Sequence, residues 1–477
     1  METIKTVKIK LTVTKASQVF AAIVCCLLLT QFSCTKISDV KTDTVQSTSY
    51  DETTAARKPN ILMLIGDDVG YEIPTCDGGQ SYETPNLDMM AQYGKRFTQC
   101  HSNPICSPSR FMLFTGKYNF RNYFLWGRMD RSYKTIANML SDKGYATCYA
   151  GKWQLDGGDT SIHTFGWQKY SVWLPYYVDQ ESVYGTRYKG AQIYQDGGYL
   201  PSSVTANKYS EDEFTDYILH FIDSVSALHK PFFVNYSMVL THTPFSPTPD
   251  DPEYATWDFN SNPSAKRFFP SMVKYMDKKV GQVVQHLIDK GLITNTLVLY
   301  TGDNGTPDGI QSQFNGFTVT GSKSETNEIG TVVPLIDLWP GKVQPNKVSN
   351  SVIDFPDMLP TFADVAAIQK PTNYGILDGV SFYPALIKRG TDTLVEKTLY
   401  SSYALNRYDT EPADAIIRWA HNTAYKLYDS GSYTQSKQFV KIEKCKPDGT
   451  PLIDGNLTPE EVQIKAQLKA ILKTYNP

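Results

Sequence analysis

The sequence lacks the features that indicate a nucleic-acid-binding or repetitive protein. Its 477 residues carry 46 Lys and Arg against 49 Asp and Glu, a net charge of −3, and the isoelectric point lies near 6.2. Binding to nucleic acid would call for a basic patch, yet the chain has no basic run, internal repeat or low-complexity tract. With 41% hydrophobic and 20% charged residues, the composition is that of an ordinary globular protein, and 477 residues can hold one large α/β domain and a smaller one.

A hydrophobic run long enough to span a membrane is also missing at the N-terminus. The apolar stretch 19–29 has about 11 residues, which is too short for a spanning helix and typical of a secretory signal. The basic residues that precede it are Lys5, Lys8, Lys10 and Lys15. Ser33 before Cys34 resembles a lipoprotein cleavage site, with plain signal-peptidase cleavage as the alternative.

These features predict an exported protein. We expect a signal peptide over residues 1–34 and a flexible, Thr/Ser-rich tether over 35–57. The mature protein is expected in the periplasm or at the cell surface, attached to the membrane only through a lipid on Cys34.

Cysteine is scarce, and its number is odd outside the signal. Of eight cysteines, Cys25 and Cys26 lie in the signal and Cys34 at its end. The remaining five are Cys76, Cys100, Cys106, Cys148 and Cys445. An odd number in an exported protein indicates at least one unpaired or modified thiol. Cys106 is the candidate, because it opens a Ser-rich turn, "CSPSR", unlike a core thiol.

The order of the segments predicts an α/β fold. Four short apolar runs end in polar residues, as strands buried in a parallel sheet do: "PNILMLIGDD", "YATCYAGKW", "KPFFVNYSMVLTHTP" and "NTLVLYTGDNG". Helical stretches separate them; Ser210 and Glu213 suggest a capping box, and Thr458 an N-cap. We predict a large doubly wound, mixed but mostly parallel sheet flanked by helices over 58–390, and a small C-terminal α+β subdomain with an antiparallel sheet over 391–477.

Acidic residues directly follow two of the predicted strands. Asp67 and Asp68 end the first, and Asp303 and Asn304 follow a later one. Because the carboxyl ends of strands in such a sheet meet at one crevice, these oxygens would converge. Oxygen ligands suit a hard cation such as Ca²⁺ or Mg²⁺. Taken singly, each pair is more simply explained as a cap on the following turn.

The motif around Cys106 resembles that of the type I sulfatases, a family of the alkaline phosphatase superfamily. Cys106, Pro108, Arg110, Thr115 and Gly116 match the family's Cys-x-Pro-x-Arg…Thr-Gly signature. Further segments match in the same order, among them "PNILMLIGDDVGY", "TIANMLSDKGYATCYAGKW" and "NTLVLYTGDNG". The resemblance covers about residues 58 to 390 and implies the hydrolysis of sulfate monoesters.

The resemblance implies a role for the thiol. In this family the motif cysteine is oxidised by a formylglycine-generating enzyme to formylglycine, an aldehyde that hydrates to a diol. One diol oxygen attacks sulfur, and the sulfated diol then eliminates sulfate and restores the aldehyde. Arg110 would hold the modified Cys106 side chain.

Other roles carry over from the family residue by residue. Asp67, Asp68, Asp303 and Asn304, with the modified Cys106, match the ligands of a metal that is normally calcium, with Mg²⁺ possible. Lys152, His242 and Lys323 match the residues that bind sulfate, and His242 or Lys323 would protonate the leaving oxygen.

Gln154 departs from the family pattern. The family usually has histidine there, which is thought to act as a base when the diol collapses. An amide can hold a sulfate oxygen but cannot accept a proton. Three alternatives remain open: another group serves as the base, the step runs differently, or activity is lost.

The substrate is expected to be a sulfated polysaccharide or oligosaccharide. Residues 167–199 are rich in aromatic side chains, which stack on sugar rings, although most of them would fill the core. Two alternatives remain open: a phosphate or phosphonate monoester hydrolase of the same superfamily, and a non-catalytic protein that binds sulfated glycans. Nucleic acid is not an expected partner.

Overall fold

The computed structural model describes residues 57–177, 186–261, 263–369, 371–387, 397–404, 415–429, 438–443 and 446–475. The predicted signal peptide, Cys34, nearly all of the tether, Cys445 and the predicted boundary at 390/391 lie outside these ranges and remain predictions. Within them, no helix combines the length and hydropathy that a membrane span requires. The cysteines described, at positions 76, 100, 106 and 148, are free thiols.

A ten-stranded mixed sheet forms the centre of the molecule. Its strand order is β12-β2-β11-β8-β1-β7-β3-β4-β5-β6. The central strands β8, β1, β7, β3 and β4 run parallel, while β11, β5 and β6 pair antiparallel with their neighbours. The strands are β1 Asn60–Gly66, β2 Lys95–His101, β3 Ala146–Lys152, β4 Lys169–Trp173, β5 Ile193–Gln195, β6 Gly198–Tyr199, β7 Phe232–Ser237, β8 Thr296–Gly302, β11 Val332–Leu338 and β12 Lys347–Asp354, with a separate hairpin of β9 Gln311–Phe314 and β10 Phe317–Thr320.

Helices cover both faces of this sheet. Alternate residues of β1 enter opposite cores: Ile61 and Met63 contact one, Leu62 and Leu64 the other. The predicted doubly wound architecture is therefore confirmed. The α-helices are α1 Pro85–Tyr93, α2 Cys106–Thr115, α3 Asn119–Asn122, α4 Ile136–Ser141, α5 Gly158–Thr164, α6 Ser202–Thr205, α7 Ser210–Ala227, α8 Phe269–Asp289, α9 Glu328–Thr331, α10 Met358–Val365, α11 Tyr383–Ile387 and α12 Pro459–Tyr475.

The two predicted helix starts have different outcomes. Thr458 precedes α12, and its hydroxyl accepts from the Glu461 amide while Glu461 Oε2 accepts from the Thr458 amide; this N-cap is confirmed. The capping box at Ser210 and Glu213 is wrong. Helix α7 begins at Ser210, so that residue is not the N-cap. Its hydroxyl donates to the carbonyl of Arg187 instead, at 2.9 Å.

The predicted C-terminal antiparallel sheet is confirmed. Its strands follow one another in sequence order, and one face contacts the main core through Tyr400, Ala420 and Leu427. The opposite face packs Trp419 and Tyr428 beside Cys106. This sheet therefore forms part of the surroundings of the predicted nucleophile. The strands are β13 Leu399–Tyr403, β14 Ile417–His421, β15 Tyr425–Tyr428, β16 Phe439–Glu443 and β17 Lys446–Leu452.

Two buried histidines meet where the two sheets pack. The rings of His101 and His421, at the ends of β2 and β14, have centroids 4.5 Å apart. Among the described residues, Nδ1 of each ring has no hydrogen-bond partner. Burial lowers the pKa of His101 to about 4, and burial also lowers the pKa of His421 well below its usual value. Both imidazoles are therefore neutral in the folded protein near pH 6.

This pair should make stability depend on pH. Unfolded histidine binds a proton near pH 6.5, whereas His101 in the folded protein does so only near pH 4. Stability should therefore fall as the pH drops from about 6.5 to about 4, by up to ~1.4 kcal/mol per pH unit for each histidine. The His421→Phe variant should lose less thermal stability over this range than the parent.

The control is His220→Phe, since His220 is exposed on α7. Its unfolding midpoint should follow the parent's pH dependence. If the unfolding midpoints of the His421→Phe variant and the parent depended equally on pH, the buried histidine pair would not be a source of the pH dependence.

Candidate active site

The paired strands β1 and β8 bring the acidic residues together. Gly66 and Gly302 are register partners at the ends of these parallel strands, so the residues that follow each strand lie side by side. The Asp68 amide donates to Asp303 Oδ1 at 3.0 Å, and Asn304 Nδ2 donates to Asp68 Oδ1 at 2.8 Å. Asp67, Asp68, Asp303 and Asn304 are all at most 1% exposed.

Cationic side chains from other elements surround these carboxylates. Lys152, the last residue of β3, lies 2.8 Å from Asp67 Oδ1. Arg110, on the second turn of α2, places Nη2 2.8 Å from Asp303 Oδ2.

Lys323 completes this set from the loop after β10. Its Nζ lies 2.6 Å from Asp68 Oδ1. Each of the three carboxylates therefore has at least one cation in direct contact, as buried charges require.

Burial and these cations act in opposite directions on the carboxylates. Burial favours neutral Asp67, but Lys152 and then other nearby cations hold its pKa well below the usual range. Burial likewise opposes the charge of Asp68, and Lys323 lowers its pKa. For Asp303 burial prevails and raises the pKa to about 6.

Cys106 is the first residue of α2 and is 2% exposed. It packs against Tyr403, Trp419 and Tyr428 of the C-terminal sheet. Burial disfavours the charge of Lys323, but Asp68 and then Cys106 raise its pKa. Helix α2 thus places the thiol one turn before Arg110, which pairs with the Asp303 carboxylate.

His242 joins the group from the segment that follows β7. Its Nε2 lies 3.8 Å from Asp68 Oδ2, and its Nδ1 is 2.7 Å from the carbonyl oxygen of Thr243. Burial, and then the charges of Arg187 and Lys323, lower the pKa of His242 to about 3. The imidazole is therefore neutral, and its Nδ1 carries the proton because a carbonyl can only accept.

A buried carboxylate fixes the backbone before His242. Glu211 Oε1 accepts from the amides of Val239 and Leu240, at 2.6 and 3.0 Å. Tyr188 donates its hydroxyl to the carbonyl of His242. These contacts connect α7 and the segment around residue 188 to the position of the imidazole.

Gln154 lies at the back of the site. It adopts a left-handed backbone conformation, φ 50°, and lines a cavity of about 10 Å³ together with Ser107, Arg110 and Tyr149. Its Oε1 is buried with no hydrogen-bond partner among the described residues. The amide is thus next to the start of α2, but the structure shows no contact that assigns it a role.

Sequence reasoning missed Arg187. Its Nη1 lies 2.8 Å from Asp67 Oδ2, and its guanidinium carbon is 4.4 Å from the centre of the Trp173 ring. No motif marks this arginine, which stands inside the aromatic segment. Tyr184 of that segment lies outside the described residues. The aromatic residues of the segment that are buried are Trp167, Tyr170, Trp173, Tyr188 and Tyr194.

The residues present fit a hard divalent cation. Three carboxylates and an amide supply only oxygen donors, the set that Ca²⁺ and Mg²⁺ prefer. Asn304 Oδ1 is buried and has no hydrogen-bond partner in the described part of the chain. Ligand atoms of Asp67, Asp68 and His242 also lie within 4.8 Å of one another. An oxygen acceptor left unpaired beside three carboxylates is what a cation site would offer.

This fold and site define a hydrolase of the alkaline phosphatase superfamily. A match to the Sulfatase family model covers residues 59–368. N-acetylgalactosamine-6-sulfatase of Mus musculus is 29% identical over 364 residues, 70% of this chain and 67% of the mouse enzyme. Arylsulfatase A of Bos taurus is 29% identical over 377 residues, 73% of this chain and 72% of the bovine enzyme.

Solved structures share the fold. Ps i-CgsB superposes with a TM-score of 0.70 at 23% identity, covering 87% of this chain and 92% of that one. BT4656, solved with its substrate D-glucosamine-2-N,6-O-disulfate, gives 0.67 at 21% identity, with 87% and 97% covered. A phosphonate monoester hydrolase of Agrobacterium radiobacter gives 0.61 at 18%, with 87% and 95% covered.

The chain therefore belongs to the sulfatase family. It is a sulfuric ester hydrolase, and the family resemblance found in its sequence is confirmed.

Gly151, the residue before Lys152 in β3, allows β7 to approach closely. We expect this close contact between the two strands to hold Lys152 in position. Gly151 has φ 96°, and a Cβ there would lie 1.9 Å from the carbonyl oxygen of Ser237. Gly144 has a similar φ of 87°, but a Cβ there would have no described atom within 4 Å. Both alanine variants incur backbone strain of about 1–2 kcal/mol, and only Gly151→Ala adds a clash.

We therefore expect Gly151→Ala to lower the midpoint of thermal unfolding by at least ~2 °C more than Gly144→Ala, given ~2–4 °C per kcal/mol for domains of about 150–250 residues and less for a larger one. Scanning fluorimetry on the two variants makes the comparison. Equal midpoints would show that β3 and β7 can separate at no cost.

Proposed function

We propose that this protein hydrolyses sulfate monoesters of sulfated carbohydrates through formylglycine at position 106 and one divalent metal ion. The observation that carries the proposal is the position of Cys106, within its signature motif, at the start of α2, one turn before Arg110, which pairs with the Asp303 carboxylate. When present, formylglycine supplies a hydrated aldehyde as the nucleophile. The metal, when bound, offsets negative charge and favours ionisation of that nucleophile.

Four residues would hold the metal. Asp67, Asp68 and Asp303 contribute carboxylates, and Asn304 contributes the unpartnered Oδ1. Calcium fits this all-oxygen set, and magnesium is the alternative. The ion pair of Arg110 with Asp303 keeps that carboxylate in place. Arg110 thereby supports both the metal position and the first turns of α2.

Lys152, His242 and Lys323 would bind the sulfuryl oxygens. Their side chains all lie within 4 Å of Asp67 or Asp68, so an anion placed beside the metal would meet all three. Cations placed in advance stabilise the charge that develops on these oxygens and on the leaving oxygen.

Lys323 is the better proton donor to the leaving oxygen. The hydrogen bond from His242 Nδ1 to the Thr243 carbonyl leaves Nε2 of the neutral ring without a proton. Lys323 carries three N–H donors, and the carboxylate of Asp68 holds it in place. A bound sulfuryl group would favour a proton on Nε2 of His242, because a nearby negative charge raises the pKa of a histidine, and Nε2 could then donate to a sulfuryl oxygen.

Aromatic side chains near Cys106 support a carbohydrate substrate. Tyr403, Trp419 and Tyr428 of the C-terminal sheet pack beside the thiol but are themselves buried. Of these rings, the partly buried Trp126, which packs against them, is the one with a surface open to a ligand. Aromatic faces and edges suit the apolar faces of sugar rings. The mouse relative is named as a sulfatase of N-acetylgalactosamine, which is consistent with this class.

The phosphonate hydrolase among the structural neighbours motivates the second candidate, hydrolysis of a phosphorus ester. Gln154 motivates the third, a protein that binds sulfated glycans without turnover. A single experiment separates all three.

The test is release of sulfate and phosphate from a panel of sulfated oligosaccharides and phosphoesters. The protein is produced with a formylglycine-generating enzyme, and conversion of Cys106 is checked by peptide mass. We expect sulfate from one linkage, loss of that activity with EDTA, and recovery with Ca²⁺. Cys106→Ala should lower the rate at least ~10³-fold, because it removes the nucleophile.

Cys148→Ala is the matched control, since Cys148 is also a fully buried thiol but lies in the middle of β3. It should keep most of the activity. Phosphate release alone would support the second candidate. Tight glycan binding without turnover, in protein with the aldehyde confirmed, would support the third.

A further inference from the structure

Arg187 is held rigidly at the edge of the site. Its guanidinium stacks on Trp173, and its backbone carbonyl accepts from the Ser210 hydroxyl at 2.9 Å. The side chain is 8% exposed. An arginine fixed on both sides loses little conformational freedom when it binds a ligand, which favours binding.

This position adjoins two of the proposed sulfate ligands. Trp173, on which Arg187 stacks, is the register partner of Lys152 across β3 and β4. Tyr188, the next residue, donates its hydroxyl to the carbonyl of His242. Arg187 therefore lies between the elements that carry Lys152 and His242.

The charges at the site leave a positive surplus. Among the described residues in direct ion-pair contact, Arg110, Lys152, Arg187 and Lys323 oppose three carboxylates. A divalent metal would increase this surplus. The group as a whole is therefore suited to an anionic ligand, and it has one cation more than the family resemblance supplied.

Asp67 is the point where these cations compete. Its two oxygens accept from Lys152 at 2.8 and 2.9 Å, and Oδ2 also accepts from Arg187. A metal held by Asp67 must occupy one of the roughly four lone-pair directions of this carboxylate. The guanidinium has five N–H donors in a planar fork suited to tetrahedral oxyanions.

We infer that Arg187 is a further substrate-binding residue, which contacts the sulfuryl oxygens together with Lys152 and His242. The inference rests on the proposed function of this site, because it takes the sulfate group as the ligand. The alternative is that Arg187 only positions Asp67 as a metal ligand. The two roles predict different measurements.

The test uses the Cys106→Ala protein, which binds without turnover and does not need the aldehyde. Calorimetry measures the dissociation constant of Ca²⁺, and then that of inorganic sulfate at saturating Ca²⁺. Adding Arg187→Met should weaken sulfate binding by about 10- to 100-fold, the effect of losing a charged hydrogen bond. Ca²⁺ binding should not weaken, because the substitution removes a cation that competes for Asp67.

Two further variants make the result specific. Arg187→Lys keeps the charge and should recover part of the sulfate affinity. Arg121→Met is the matched control: Arg121 also stacks on an aromatic ring, Phe120, at 4.4 Å, and pairs with a buried aspartate, Asp378, at 3.0 Å. It should leave both constants unchanged.

Weaker Ca²⁺ binding with unchanged sulfate affinity at saturating Ca²⁺ would overturn the inference and make Arg187 a positioning residue. Failure of the Cys106→Ala protein to bind sulfate at all would overturn it as well. Neither outcome decides the proposed function, which is read from sulfate release by the aldehyde-containing enzyme.

Discussion

The balance of buried charge around Asp67 is the constraint on which the site depends. Two carboxylates at the end of β1 and one at the end of β8 are almost fully removed from water. Such groups are tolerated only where cations and hydrogen bonds replace the lost solvation. Arg110, Lys152 and Lys323 supply that replacement from three different parts of the fold. The same compensation that allows these carboxylates to be buried also collects the cations that an oxyanion needs.

The fold explains why these groups converge. Parallel neighbours in a doubly wound sheet end at the same edge, and the register of Gly66 with Gly302 places the two acidic turns side by side. Cys106 follows β2, and helix α2 presents it at that edge. The C-terminal sheet adds the aromatic side chains next to the thiol. The site is thus shared between the large domain and the smaller sheet.

Residues that belong to a local pattern could be predicted from the sequence. The apolar runs followed by Asp67-Asp68 and Asp303-Asn304 predicted both the strands and the grouping of oxygens. Arg187 could not be predicted in this way, since its position depends on stacking against Trp173 and on contacts with α7 that only the tertiary structure defines. The Ser210 hydroxyl illustrates the same limit: local spacing predicted a cap, but a tertiary partner competes for the side chain. Gln154 lies beside the start of α2, with no partner for its Oε1 among the described residues that would explain it.

The central claim is that the three carboxylates form a metal site and that the cations around them bind the anion. A crystal structure of the Cys106→Ala protein with Ca²⁺ and sulfate tests it most directly. We expect one cation at about 2.3–2.6 Å from oxygens of Asp67, Asp68, Asp303 and Asn304, with Lys323 turned from Asp68 to the sulfate. A structure in which the carboxylates keep their ion pairs with Lys and Arg at saturating Ca²⁺, and in which no cation lies among the four residues, would contradict this metal site.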